Sequence, residues 1–170
     1  MKAMVRIETV LDGWKTVRED TAQAVLDLPA GDLSFRPAPE LMSFGEIARH
    51  ILDAGHGLTG LLLDGVEDFT AGNFRERVRQ LSPPLPADAA ADQLARELRG
   101  RIEERIGQLR DKSADFFGGM VTRWDGARLT RLEMLQFLKE HELTHRSQLF
   151  LYLRMRGVVP PTTRRRMAKQ

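Results

Sequence analysis

The chain has 170 residues, enough for one domain that buries about 70% of the surface exposed by the unfolded chain. It contains no cysteine, which excludes disulfides, cysteine-ligated zinc sites and thiol nucleophiles supplied by the protein. Its 26 basic and 24 acidic residues give a formal net charge of +2. No apolar run reaches the ~18 residues that span a bilayer, and the N-terminus lacks the apolar stretch of a signal peptide. We therefore expect a globular cytoplasmic protein.

The first half of the chain predicts two amphipathic helices separated by a loop that contains several prolines. Apolar residues recur at three- and four-residue steps from about Val5 to Leu28, which is the pattern of a helix with one buried face. The second helix is predicted to begin at Ser43, which forms a capping box with Glu46. It continues to about Asp64, where a glycine follows.

The second half predicts two more long helices. Residues 65–86 form a long connection with room for a short helix from Phe74 to Gln80. The third long helix spans about Ala87 to Phe116. Asp125-Gly126 lies between two short segments, 121–124 and 127–129, and indicates a β-hairpin. The fourth helix begins after a second capping box at Thr130 and runs to about Arg156.

Four amphipathic helices of this length predict an all-α four-helix bundle. The 65–86 connection is long enough for a crossover, so these patterns leave the order of the helices open. We expect a bundle domain over residues 1–157 and a basic C-terminal tail over 158–170. The last fifteen residues contain five basic and no acidic side chains, which leaves 21 basic and 24 acidic residues in 1–155. The bundle itself is therefore expected to be slightly acidic.

The four histidines differ in helical phase. His141 and His145 lie one turn apart on the apolar face of the fourth helix. His50 belongs to the apolar stripe of the second helix, whereas His56 falls on the opposite face of that helix. Three imidazoles are thus predicted to face the interior of the bundle.

Burying three imidazoles costs free energy unless their nitrogens are hydrogen-bonded or coordinated. The residues leave two interpretations open: satisfied core histidines, or ligands of one divalent metal ion. A His pair at i,i+4 with a third ligand from a facing helix is an established metal-binding arrangement. Three protein ligands would leave a coordination position open, as in catalytic zinc sites. We favour the metal site.

Three polar residues near the histidines are candidates for catalytic or supporting roles. Gln148 lies on the same helix face and is suited to bind a ligand, a metal-bound water or a substrate, with an inter-helix hydrogen bond as the alternative. Asp53 is placed to orient an imidazole or to lie at the rim of the bundle. Tyr152 points inward and is suited to donate to a substrate oxyanion or to pack in the core. Glu140 and Glu142 flank the apolar stripe and are expected to be solvated.

Several motifs resemble the DinB/YfiT-like superfamily. The segment from Glu140 to Leu149, followed by Tyr152-Leu153-Arg154, is similar to the fourth helix of that family. The segment Ser43-Phe44-Gly45-Glu46-Ile47-Ala48-Arg49-His50 resembles the helix with the family's first histidine. Trp124-Asp125-Gly126 also resembles family members, and the resemblance covers nearly the whole chain.

The resemblance implies an up-down-down-up bundle with the long crossover between the second and third helices. It implies a divalent metal, zinc or nickel in the first place, held by His50, His141 and His145, whereas His56 has no role that the family supplies. Histidine sites also accept iron and manganese. Family members include metal-dependent hydrolases and low-molecular-weight thiol S-transferases, and homodimers are common. Because this chain lacks cysteine, any thiol would have to be a small molecule.

We therefore expect a metal-dependent hydrolase or thiol transferase that acts on a small molecule. The inward faces offer few general bases beyond Asp53 and Glu46, which weakens hydrolysis slightly. The alternative is a stress-response protein that binds a ligand without turnover. Nucleic-acid binding, suggested by the arginine-rich segments 75–79 and 164–166, is disfavoured because no helix-turn-helix or stacking platform is evident.

Overall fold

The computed structural model describes residues 5–169, so residues 1–4 of the predicted domain and residue 170 of the predicted tail lie outside it. Within the described residues the helices are α1 (Ile7–Asp27), α2 (Phe44–Leu63), α3 (Phe74–Gln80), α4 (Ala91–Arg110), α5 (Ala114–Gly118), α6 (Arg131–Met155) and α7 (Pro161–Met167). Two short strands are β1 (Met120–Thr122) and β2 (Arg128–Thr130). None of these helices is long and apolar enough to cross a membrane.

The long helices α1, α2, α4 and α6 form the predicted four-helix bundle. α1 and α2 each pack against both α4 and α6. α1 runs antiparallel to α4, as shown by the ion pairs Glu19–Arg99 and Asp12–Arg110. α2 runs parallel to α4, because Arg101 lies beside Asp53 and Arg105 donates to the backbone carbonyl of His56, one turn further along each helix.

The remaining contacts complete the topology. α6 runs parallel to α1, since Arg146 pairs with Asp20 and Glu142 contacts Trp14 one to two turns earlier in both helices. α6 runs antiparallel to α2, because Tyr152 near its end contacts Met42 just before α2 begins. The order is therefore up-down-down-up, and the connection between the parallel helices α2 and α4 is the predicted crossover.

The core has an apolar cluster at each end of the bundle and polar side chains between them. One cluster is built around Trp14, Leu61, Ile106 and Leu135, and the other includes residues such as Leu98. Buried polar groups occupy the middle height of the bundle, namely Arg18, Thr21, His56, Arg101 and Glu142. The middle layer is thus where charge and hydrogen bonding, rather than apolar contact alone, join the helices.

Both predicted capping boxes are confirmed. The Ser43 backbone N–H donates to Glu46 Oε2 over 2.6 Å, and the Glu46 N–H donates to Ser43 Oγ over 3.2 Å. Thr130 and Glu133 repeat this exchange at the start of α6. Each box satisfies backbone donors that the first turn of a helix leaves free, so it fixes where the helix begins.

The predicted hairpin is also confirmed. β1 and β2 pair antiparallel, with Val121 opposite Leu129. Gly126 in the connecting turn has φ = 83°, a conformation that glycine adopts without strain. This hairpin places Trp124 at its tip, next to α3 and α6.

The predicted third helix, Ala87–Phe116, is wrong at both ends. α4 begins at Ala91, because the Ala89 N–H bonds the Pro86 carbonyl in a turn before it. It ends at Arg110, and Ser113 then caps the separate helix α5 by accepting from the Phe116 N–H over 3.3 Å. A serine whose hydroxyl binds a backbone N–H favours a helix start over a helix interior.

The segment predicted as a basic tail contains α7, which packs against α1. Arg165 donates to Asp20 over 2.6 Å, and Arg164 pairs with Asp27 over 2.7 Å. Pro161 begins this helix, at a position where a missing backbone N–H costs nothing. Two of the arginines of this segment are therefore engaged with acidic residues of the bundle.

Candidate metal centre

Three histidines meet between α2 and α6 at the middle height of the bundle. His50 projects from α2, and His141 and His145 project from α6 one turn apart. The three ring centroids lie 4.6 to 5.0 Å from one another. His50 Nε2 lies 3.1 Å from His141 Nε2, and the three residues offer ligand atoms that all lie within 4.8 Å of one another. The structure thus brings together the three histidines selected from the sequence.

The histidine cluster lines a cleft and is not enclosed in the core. His50 is exposed, and His141 and His145 are half-buried. Helical phase placed all three toward the interior, but it does not reveal that the helices diverge enough for solvent to reach the rings. A cluster with one open side suits binding and exchange of a ligand better than a closed structural role.

The prediction that His56 lies on an outward face is wrong, since its side chain is only 4% exposed. The crossover covers this face of α2: a Cβ on the neighbouring Gly57 would meet the Val78 carbonyl and the Ser82 hydroxyl. Burial, followed by the charges of Arg105 and Arg101, lowers the pKa of His56 to about 4. A helical wheel of α2 contains no information about a later segment that packs on it.

Two of the cluster histidines, His50 and His141, have lowered pKa values, which favour the neutral form of these two rings. Burial lowers the pKa of His141 to about 4, with further lowering by His145 and His50. Desolvation in the cleft, followed by the charge of His145, also lowers the pKa of His50. Neutral imidazole is the form that coordinates a metal, so these rings need release no proton to bind one near pH 7.

Gln148 fixes the tautomer of His145. Its amide oxygen Oε1 lies 2.8 Å from His145 Nδ1. An amide oxygen only accepts, so Nδ1 must be the protonated nitrogen of this ring. The Nε2 lone pair is then free to coordinate, which is the usual arrangement when a second residue supports a histidine ligand.

These observations agree with a divalent metal at the cluster. Two nitrogens that bind one ion at about 2.0–2.1 Å can lie no more than about 4.2 Å apart, and the 3.1 Å between His50 and His141 satisfies this limit. The lowered pKa values of His50 and His141 favour neutral rings, and the side chain of His145 is hydrogen-bonded to Gln148. Three imidazole nitrogens form a donor set that zinc, nickel, iron and manganese accept.

A cavity of about 530 Å³ opens beside the cluster, a size that suits a small molecule. Most of its lining is apolar, with two charged side chains and two of the histidines among the rest. The lining residues are His50, Asp53, Ala54, Leu58, Phe74, Arg75, Val78, Trp124, Phe137, Leu138 and His141.

The other two candidate residues occupy different environments. Asp53 lines the cavity one turn after His50, and burial raises the pKa of its carboxyl group although Arg101, 3.8 Å away, opposes this. Tyr152 instead donates its hydroxyl to the Met42 carbonyl over 3.0 Å and packs edge-on against Phe35. Asp53 therefore faces the cavity, whereas Tyr152 joins two segments of the core.

Glu142 is a residue that sequence reasoning missed, because it was expected to be solvated and is 2% exposed. Its carboxylate accepts from Arg18 Nε over 2.7 Å and from Trp14 Nε1 over 2.7 Å. Thr21 donates a further hydrogen bond over 3.0 Å. A signal existed in α1, where Arg18 adjoins an apolar stripe and a buried guanidinium requires a buried acid.

The bundle and its histidine cluster define the class of protein. The sequence model of the DinB family matches residues 1–170, so the chain belongs to the DinB family. The uncharacterized protein YjoA of Bacillus subtilis (strain 168) is 26% identical over 124 residues, which are 73% of each chain. This confirms the family to which the motifs pointed.

Two solved structures share the fold. The crystal structure of the DinB-like protein YjoA from B. subtilis aligns with a TM-score of 0.67 and 21% identity, covering 88% of this chain and 92% of that one. YfiT from B. subtilis aligns with a TM-score of 0.68 and 13% identity over 93% of each chain. YfiT is described as "a probable metal-dependent hydrolase with an unusual four-helix bundle topology". At these identities the likeness shows the fold alone.

Proposed function

We propose that this protein is a divalent-metal-dependent enzyme that acts on a small molecule, with His50, His141 and His145 as the metal ligands. The observation that supports this most strongly is the convergence of three imidazoles beside a cavity. Membership of the DinB family and the description of YfiT agree with it. Zinc or nickel is the expected ion, with iron or manganese as alternatives.

The residues around the cluster would have different roles in such a reaction. A bound divalent ion lowers the pKa of a bound water or stabilises a thiolate. Gln148 holds the ring of His145 with Nε2 free to coordinate. Asp53, with its raised pKa, is the group in the cavity that can accept a proton as general base. The apolar part of the lining offers a surface on which the body of a small molecule can pack.

Hydrolysis is the reaction that this arrangement supports best, because Asp53 supplies the base that an attacking water needs. Transfer to or from a low-molecular-weight thiol is the second candidate, and the apolar cavity favours it, since a small thiol could enter there. The thiol would be a cofactor because the chain has no cysteine. We further propose a cytoplasmic homodimer, and light scattering of the purified protein tests the dimer.

Metal analysis of His145→Ala tests the proposal. Protein purified without chelator is expected to contain about one zinc or nickel ion per chain by mass spectrometry, and His145→Ala at least tenfold less, because two ligands hold an ion far less tightly than three. Thr144→Ala is the matched control, since Thr144 is the exposed neighbour on the same helix. A metal-free wild type, or equal metal in both variants, would contradict the metal site.

Turnover separates the enzyme from the non-catalytic alternative. Esters, amides and thiol-conjugation substrates are screened with wild type, chelator-treated protein and His145→Ala. The proposal expects product formation that chelator abolishes and that added metal restores. A protein that holds the metal and is stabilised by small molecules, yet forms no product in any screen, would instead be a ligand-binding stress-response protein.

A further inference from the structure

One side of the cavity is an aromatic wall formed by Phe74 of α3, Trp124 of the hairpin turn and Phe137 of α6. The rings of Phe74 and Trp124 stack with centroids 5.6 Å apart, and Trp124 meets Phe137 over 5.6 Å. Phe137 in turn lies 6.4 Å from the ring of His141, so the wall extends to the histidine cluster. Trp124 is 41% exposed, a large apolar surface to leave in contact with water.

The wall is held in place from behind by a charged pair. The guanidinium of Arg123 lies 4.7 Å from the centre of the Phe137 ring. The same guanidinium binds Asp125, and this contact lowers the pKa of that carboxyl group to about 2. Arg123 therefore packs against the wall with its charge already paired by Asp125.

Arg75, unlike Arg123, has no charged partner among the described residues. It follows Phe74 in the first turn of α3 and lines the cavity. Its guanidinium makes no ion pair or hydrogen bond with any residue from 5 to 169. Asp53 is the one carboxylate among the cavity residues, and it faces Arg101. The cavity thus presents an unpaired positive charge at the edge of an aromatic surface.

We propose that this cavity selects small molecules with an apolar, ring-bearing body and a carboxylate group. The body would pack on the aromatic wall, and the carboxylate would pair with Arg75. This inference deepens the proposed function, since it names the substrate class of the same site. Sites of this kind combine an apolar surface for affinity with a few polar groups that fix the orientation of the ligand.

Calorimetric titration with two matched probes tests the inference. The probes are 2-naphthylacetate and its neutral amide, which share the ring and differ in charge. The wild type is expected to bind the carboxylate about fivefold more tightly, the upper range for a partly exposed ion pair. Arg75→Gln should abolish this preference. Arg77→Gln removes the same charge from the same helix at a residue outside the cavity lining, and it should keep the preference.

Two further variants test the aromatic wall and the histidine cluster separately from Arg75. Trp124→Ala should weaken both probes by the same factor, because it removes the apolar surface and leaves Arg75 in place. His145→Ala should keep the preference for the carboxylate, and this separates pairing with Arg75 from coordination of the carboxylate by a bound metal. The inference fails if neither probe binds, if the wild type shows no preference, or if Arg75→Gln retains it.

Discussion

Glu142 connects the candidate metal site to the interior of the bundle. It follows His141 directly in α6, yet the two side chains point to different sides of the helix: one toward the cleft and the other into the middle layer. There Glu142 binds Arg18, Trp14 and Thr21 of α1. The segment that supplies two histidines is therefore held to α1 by an ion pair from which water is excluded.

Glu142→Gln is expected to lower the free energy of unfolding by about 3–5 kcal/mol, because it leaves the guanidinium of Arg18 buried without a counter-charge. Urea denaturation followed by circular dichroism measures this loss. Glu140→Gln makes the same chemical change two residues earlier on the exposed face, and we expect it to alter stability by less than about 0.5 kcal/mol. Equal losses in the two variants would show that the buried ion pair between Arg18 and Glu142 does not stabilise the fold.

At the scale of single residues, the sequence predicted what depends on one helix alone. The phases of His50, His141 and His145 follow from 3.6 residues per turn, and the cluster lies where those phases intersect. His56 and Glu142 were misjudged because their burial depends on what other segments place against them. Such partners are distant in the sequence, and no pattern within α2 or α6 identifies them.

At the scale of elements, local signals predicted the starts of α2 and α6 and the position of the hairpin. The capping boxes and the hairpin turn are interactions within four residues, so the residues that form them are adjacent in the sequence. The break after Arg110 and the helix α7 were missed for different reasons. Ser113 was taken as an interior residue of a longer helix, and α7 depends on acidic residues of α1 that lie far earlier in the chain.

Asp20 is the acidic residue that joins α1 to both α6 and α7. Its carboxylate is buried and binds Arg146 and Arg165. We expect Asp20→Asn to cost about 2 kcal/mol and to raise amide hydrogen exchange across residues 161–167, because a neutral amide holds two guanidinium groups weakly. Asp12→Asn is the control, since Asp12 forms one exposed pair from the same helix. Unchanged exchange in α7 would contradict this assignment.

At the scale of the whole molecule, the middle layer makes stability depend on pH. The pKa of His56 is about 4 in the folded protein, against an ordinary value of about 6.5. Between about pH 4 and 6.5, His56 is therefore protonated in the unfolded chain and neutral in the folded protein. The proton that His56 binds on unfolding lowers the free energy of unfolding. Stability is therefore unaffected by His56 above about pH 6.5 and falls as the pH falls toward 4.

His56→Gln tests that dependence. In the presence of chelator, the free energy of unfolding of the wild type should fall between pH 6.5 and 4, with up to about 3 kcal/mol of the fall due to His56. The variant should lose less over the same range, because glutamine does not titrate. Urea denaturation at several pH values measures both. Parallel pH profiles would show that His56 is not the responsible group.

The up-down-down-up order also builds the cavity wall from two kinds of segment, bundle helices and the crossover. The histidines belong to the bundle helices, whereas Phe74, Arg75 and Val78 belong to the crossover that parallel neighbours require. The entropy of closing a loop grows slowly with its length, so a crossover tolerates insertions and exchanges that a bundle helix does not. The crossover is therefore the part of the cavity wall whose residues can change with the least effect on the bundle helices that position the three histidines.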